Sequence, residues 1–206
     1  MLVVCINCYN DMPMITDCVG SVYNQVDRII AVDGRYIDFP NDSRYSTDGT
    51  VEFLAGLEKV ELVFSADLFE ADKRNVYMDM LKDGDTVLVL DGDEYIEGNI
   101  RELGKRIDIG LVLLGEPFGR HKRLATRFFR YRKGLRHNGI HFIMEIAGRW
   151  FNNRCHAVNG FKDKNINTFK INHLHRKRSR TRKEQKEKYR LSARARESQF
   201  KIMPYE

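Results

Sequence analysis

The stretch DTVLVLDGDEYIEG, residues 85 to 98, decides the fold. Thr86 to Leu90 are apolar or β-branched without alternation, the pattern of a strand covered on both faces inside a parallel sheet. Charge follows at once in Asp91, Asp93 and Glu94, with Gly92 between the aspartates. Carboxylates are thus delivered at the carboxyl end of a buried strand, where open α/β sheets bind ligands. Two carboxylates one residue apart on exposed, turning backbone can share a hard divalent cation that keeps most of its waters and also holds a diphosphate. An acidic turn that merely caps a strand fits the same spacing. The rest of the chain has to decide.

Upstream the same grammar recurs. Leu2 to Ile6 form a short buried strand, followed by Asn7, Cys8, Tyr9, Asn10 and Asp11. Asp11 is placed to cap a helix with Pro13 in its first turn and Ile15, Val19, Val22 and Tyr23 on one face. DRIIAVDG, residues 27 to 34, is a second buried strand that ends in Asp33. If the two aspartate-ended strands are neighbours, Asp33 and Asp91 project from one edge and bracket one ligand. Arg35 to Tyr45 has no clear period and reads as a loop, and loops of that length often carry function. Ser46 to Thr50 opens a helix that continues through Val51, Phe53, Leu54 and Leu57. Val60 to Phe64 is a third strand, and Ala71 to Leu81 a third helix with Lys73, Arg74 and Asn75 near its start. The alternation βαβαβαβ builds, through right-handed crossovers, a parallel sheet with helices on both faces.

A chain of 206 residues, 42% hydrophobic, buries a substantial core as one domain without staples. Its four cysteines do not make a disulfide scaffold, and Cys5 and Cys8 lie in or beside a strand with no second pair to complete a zinc site. Reduced structural thiols are expected. No signal-peptide pattern opens the sequence and no apolar run approaches the roughly 20 residues of a membrane span, so a cytoplasmic protein is the default. The net charge of +6 conceals a division: residues 1 to 100 hold 7 Lys and Arg against 20 Asp and Glu, whereas residues 101 to 206 hold 28 against 9. An acidic half suits a metal; a basic half suits phosphates, a polyanion or an anionic membrane surface. From Arg176 to Arg196 eleven Lys and Arg face two Glu on a stretch with helical composition that is polar almost all round. It is either a solvated face or a contact for phosphate.

Three nucleotide-binding readings are disfavoured by the turn after the first strand. NCYND is neither the Gly-rich dinucleotide fingerprint nor a P-loop, and it lacks the Gly-rich basic loop expected of a sugar nucleotidyltransferase. Phosphates must be held by metal and side chains.

The order of motifs resembles the family-2 glycosyltransferases of GT-A fold. Asn10-Asp11 stands where the family usually has Asn-Glu, Asp33 where its second-strand aspartate contacts the base, and STDGT at 46 to 50 matches its helix start. ADKRN, ending at Asn75, resembles its Arg-Asn helix, and DGDE at 91 to 94 its D-x-D. IGLVLL at 109 to 114 continues as a strand, and RLATRFFRYRKG at 123 to 134 resembles the Arg-x-Phe-Arg strand entering a hairpin at Lys133-Gly134. HNGIHF at 137 to 142 resembles the stretch that in the family ends His-Glu, but here Phe142 follows His141 and the next acid is Glu145. The insertion from Arg35 to Tyr45 is a second departure. INHLH at 171 to 175 puts His173 and His175 on one face if it is a strand.

The resemblance implies a GT-A-type, Rossmann-like α/β fold: a parallel sheet, a mixed-sheet C-terminal half and a basic C-terminal helix. Residues 1 to 98 form the nucleotide- and metal-binding half of one domain, 99 to 175 the acceptor side, and 176 to 206 a basic helical tail. It also implies transfer of a sugar, with inversion, from a nucleoside diphosphate sugar to an acceptor hydroxyl. A divalent cation, Mn²⁺ or Mg²⁺, would sit on Asp93 and Asp91 with His173 or His175 and stabilise the departing diphosphate. Asn7, Tyr9, Asn10, Asp33, Arg74 and Asp91 would hold the nucleotide sugar. Glu145 is the candidate general base, with His141 and Glu116 as alternatives. A saccharide or glycoconjugate is the first expectation for the acceptor, and nucleic acid, held by the basic tail, the second. A sugar nucleotidyltransferase, a DNA-modifying glycosyltransferase and a non-enzymatic nucleic-acid-binding module stay open.

Overall fold

The N-terminal apolar run forms β1 (Leu2–Cys8), on which the sheet is built. In the computed structural model it pairs in parallel with β2 (Arg28–Asp33) on one side and with β4 (Thr86–Asp91) on the other. Beyond β2, β3 (Val60–Phe64) continues the parallel set. The structure describes residues 1–37, 39–40, 43–101, 109–115, 123–137, 144–146, 149–151, 163–174 and 184.

Three short helices connect these strands: α1 (Met14–Val22), α2 (Thr50–Ala55) and α3 (Glu70–Met78). Strand alternation sorts the core into two layers. Ile15, Val19 and Val22 of α1 and Leu54 of α2 pack with Val4, Ile6, Ile29 and Leu88 on one face. Tyr77 and Met78 of α3 pack with Val3, Cys5, Ile30 and Val87 on the other. Val3, Val4, Cys5 and Ile6 are all 0% exposed, and burying a Val or Ile side chain contributes about 1.5–3 kcal/mol. That is why β1 reads as an unbroken apolar run. Cys5, Cys8 and Cys18 are free and buried, and burial pushes each thiol well up, as expected of structural thiols.

The second half adds β5 (Glu94–Gly98), β6 (Ile109–Gly115), β7 (Arg123–Arg130) and β11 (Asp163–His173) to the same sheet. A separate small sheet holds β8 (Arg136–His137), β9 (Met144–Ile146) and β10 (Arg149–Phe151). The large sheet runs β3-β2-β1-β4-β7-β6-β11-β5, with β7 antiparallel to both neighbours and β5 antiparallel to β11. The chain is therefore a mixed α/β fold with a mostly parallel central sheet.

The sheet cannot be flat. In that order β4 and β5 stand four places apart, about 19 Å at about 4.8 Å per strand. Only Gly92 and Asp93 separate them in sequence, and three peptide steps reach at most about 11 Å. The sheet rolls so that the start of β5 and the end of β11 return to the end of β4.

Several local expectations are corrected. β2 and β4 are not neighbours, because β1 lies between them. Asp11 does not cap α1: Pro13 holds the N-cap position without a side-chain bond, and Asp11 Oδ2 accepts the Tyr9 N–H at 3.0 Å. α2 starts at Thr50 rather than Ser46, and α3 stops at Met78 rather than Leu81. Residues 94 to 98 form a strand that the acidic turn had concealed. Among the described residues no helix is long and apolar enough to cross a membrane. The basic stretch from Arg176 lies outside the described residues except for Glu184.

Candidate active site

Asp33 and Asp91 do share the carboxyl edge, but on opposite faces. Asp33 stands opposite Cys8 of β1, and Asp91 opposite Asn7. Successive positions of a strand point to opposite faces, so Asp33 belongs to the α1/α2 side and Asp91 to the α3 side. Their contacts agree.

On the α1/α2 side Asp33, fully buried, accepts the Ser46 N–H at 3.0 Å and the Ser46 hydroxyl. Burial raises its pKa, while those Ser46 bonds and the nearby Lys73 charge act against the rise. Around it the STDGT segment and the turn after β1 are stitched together. Asn10 N–H donates to Ser46 Oγ at 2.7 Å, and Thr47 N–H donates to Asn10 Oδ1 at 2.8 Å. Met12 N–H donates to Asp48 Oδ2 at 2.8 Å, and Asp11 N–H to Thr50 Oγ1 at 3.1 Å. Tyr9 donates its hydroxyl to Ser43 O at 2.6 Å and meets Phe39 edge-on at 5.4 Å, so these two residues of the insertion lie against it. Lys73 is completely buried. Its Nζ donates to Cys8 O at 2.8 Å and to Gly34 O, lies 4.9 Å over the Tyr36 ring, and is drawn down by burial to a pKa of about 8.

The α3 side is charged and less completely answered. Arg74 Nη2 donates to Asp91 Oδ1 at 2.8 Å and to Glu70 Oε1 at 3.0 Å. From β7, Arg127 Nη2 donates to Glu94 Oε1 at 2.8 Å and lies 3.5 Å from Asp91 Oδ2. His173 Nε2 also faces Glu94 Oε1, at 3.2 Å. Burial lifts the Glu94 carboxyl to a pKa of about 7 against the pull of Arg127. Beside Asp91, Asn7 is 3% exposed, and among the described residues neither Oδ1 nor Nδ2 of its amide has a hydrogen-bond partner. Nearby His137 packs edge-on against Tyr77 and is held neutral, with burial and the Arg74 charge pulling its pKa to about 3.

The DGDE turn fits into this edge tightly. Gly92 N–H donates to Asn7 O at 3.0 Å, and a Cβ on Gly92 would lie 2.5 Å from Asp11 Oδ2. Only glycine lets the turn approach that carboxylate. Asp93 is 1% exposed, not on exposed turn backbone as the sequence suggested, and its carbonyl accepts the Leu174 N–H at 2.8 Å. That bond ties the end of β11 to the turn.

The acidic turn suits a divalent cation in one respect. Asp91 keeps 27% of its side chain exposed, and Arg127 Nη2 stands 3.5 Å from its Oδ2, so a hard cation can reach that carboxylate. His173 is turned to Glu94 rather than to Asp91, and His175 lies outside the described residues. Among the described residues no three His, Cys, Asp or Glu side chains converge as a preformed ligand set.

Comparison with solved structures returns S. aureus TarS, 22% identical over 58% of this chain and 22% of that one, with a TM-score of 0.44. Residues 1–349 of TarS in complex with UDP-GlcNAc match at 22% identity, 58% and 36% coverage and a TM-score of 0.44. The same segment in complex with UDP matches at 21% identity, 59% and 38% coverage and a TM-score of 0.45. The chain thus spans between 22% and 38% of the length of these proteins. No family model and no curated protein matches the chain.

The remaining expected residues divide by position. Glu145 lies in β9 opposite Arg136, and its side chain is outside the described residues, as are His141 and Glu116 entirely. Asn75 is structural, since its amide donates to His137 O at 3.0 Å and accepts the His137 N–H at 2.8 Å, pinning the small sheet to α3. Sequence reading missed Glu94 and Arg127. A signal existed for Arg127, which alternates with the buried Phe129 along β7; a buried arginine there requires a carboxylate partner.

Proposed function

We propose that the carboxyl edge of the sheet binds a nucleoside diphosphate sugar and transfers its sugar to an acceptor hydroxyl. The observation that carries this reading is the buried Asn7 amide, open as donor and acceptor beside Asp91 and Arg74. An unmet buried polar group costs about 1–3 kcal/mol. A polar ligand entering the α3 side removes that cost. The amide suits a sugar hydroxyl or a base edge, and the Arg74 guanidinium suits a diphosphate.

In this mechanism Arg74 shifts part of its hydrogen bonding from Asp91 to the diphosphate as the charge on the leaving group grows. Tyr9, Asn10 and Asp33 shape the nucleoside end through the Ser46 network. Mn²⁺ or Mg²⁺, when bound, supplies further neutralisation of the departing diphosphate; Asp91, with Asp93 and His175, would hold it. Glu145, or His141 or Glu116, deprotonates the acceptor hydroxyl on the far side of the sugar, which inverts its configuration. A saccharide or glycoconjugate is the acceptor we favour, with nucleic acid on the 176–196 stretch as second choice.

The test is thermal denaturation and calorimetric titration of the full chain with UDP-GlcNAc and UDP, each with Mn²⁺ or with a chelator. A bound donor at a hundredfold excess over its Kd should add about 2.7 kcal/mol of stability. Turnover should release a nucleoside diphosphate, and release of pyrophosphate from a triphosphate would contradict the reading. So would the absence of stabilisation across a panel of nucleoside diphosphates and their sugars.

A further inference from the structure

Glu94 is 0% exposed and touches no solvent, yet four strands meet on its carboxylate. Its Oε2 accepts the Asp91 N–H at 2.8 Å, closing the turn between β4 and β5. Its Oε1 takes Arg127 Nη2 from β7 at 2.8 Å and faces His173 Nε2 of β11 at 3.2 Å. The same Arg127 nitrogen stands 3.5 Å from Asp91 Oδ2, beyond a good charge-assisted bond of about 2.7–2.9 Å. One guanidinium nitrogen is therefore shared unequally between two carboxylates, and the buried one holds it closer.

We infer that Glu94 is the positioning residue that keeps the Asp91 carboxylate turned outward to the donor, by fixing its main chain and by holding Arg127 away from it. This rests on the donor reading above and goes beyond it in assigning a role to a residue no ligand reaches. Asp91 without Glu94 would become the nearer anion for Arg127 Nη2. The guanidinium would close on Oδ2, drawing the carboxylate inward and neutralising it before a ligand arrives. A merely structural Glu94 makes no such prediction, because its loss would not be repaired by removing a second charge.

The experiment compares Glu94→Gln, Arg127→Gln and the double variant in the full chain. Glu94→Gln should weaken UDP-GlcNAc binding about tenfold, in the range seen when partners behind a ligating group are lost. The double variant should recover wild-type affinity to within about twofold, because the guanidinium that collapses onto Asp91 is gone. Crystal structures of wild type and Glu94→Gln should show the Arg127–Asp91 separation falling from 3.5 Å to about 2.8 Å. Unchanged affinity in Glu94→Gln, a double variant no tighter than Glu94→Gln, or an unchanged separation overturns the assignment. If Glu94→Gln does not fold, the double variant is read alone: affinity within about twofold of wild type supports the assignment, and a tenfold loss overturns it. If wild type binds neither UDP-GlcNAc nor UDP, the donor reading fails, and the separation in the two crystal structures still decides the role of Glu94.

Discussion

On the α1/α2 side of the sheet's carboxyl edge, Asp33 is closed off by Ser46, the Thr47 N–H is met by Asn10, and Asp48 accepts from both Met12 and Thr50. On the α3 side, one strand position away, the Asn7 amide has no partner among the described residues, and Asp91 shares two guanidiniums with Glu70 and Glu94. Both sides use buried polar residues at strand ends. The difference is saturation: a network that meets its own needs is scaffold, while one left short is shaped for something from outside. Substitutions on the two sides should therefore behave differently, from the largest effect to the smallest.

Arg74→Met should have the largest effect. It leaves Asp91 and Glu70 without the guanidinium that both contact, and breaking a buried pair costs about 3–5 kcal/mol. Because Asp91 keeps 27% of its side chain in water, we expect the low end, about 3 kcal/mol, read from urea unfolding midpoints. Loss of donor binding should accompany it. Asp33→Ala comes next, at about 2 kcal/mol for two hydrogen bonds from Ser46 lost to a carboxylate. Here stability should fall more than donor affinity. A donor Kd that rose a hundredfold with stability unchanged would reverse the division between the sides.

That division was only half legible in the sequence. β1, β2 and β4 are readable because each apolar run stops abruptly at Asn or Asp. The sides of the edge are not readable, since they depend on register: Cys8 opposite Asp33 and Asn7 opposite Asp91 differ by one residue on β1. Ser46 to Gly49 carries the residue types of a helix start, but Ser46 Oγ is committed to Asp33 and Asn10, and Asp48 Oδ2 to Met12, across the fold, and the helix begins only at Thr50. Local capping and long-range stitching use the same residues, and spacing does not tell them apart. Glu94 and Arg127 lie 33 positions apart and meet because the sheet rolls, which no periodicity announces.

A smaller effect sharpens the account of the α3 side through pH. His137 is neutral in the folded chain with a pKa of about 3, against 6.5 as its ordinary value. Between those values the unfolded chain binds the extra proton, so acid favours unfolding. Relative to a His137→Phe variant, wild-type stability should fall by about 1.6 kcal/mol in total from pH 6.5 down to pH 5, more steeply toward the acid end. A constant difference across that window would mean that His137 is charged in the folded protein.

The most direct measurement concerns Asn7, through chemical denaturation and UDP-GlcNAc titration of Asn7→Val. Valine suits a central strand and brings no polar atom needing a partner. The unliganded variant should equal or exceed wild type in stability, by up to about 1 kcal/mol, while donor binding weakens by about tenfold or more. A variant that loses stability and binds the donor as tightly as wild type would contradict that expectation, because Asn7 would then belong to the scaffold.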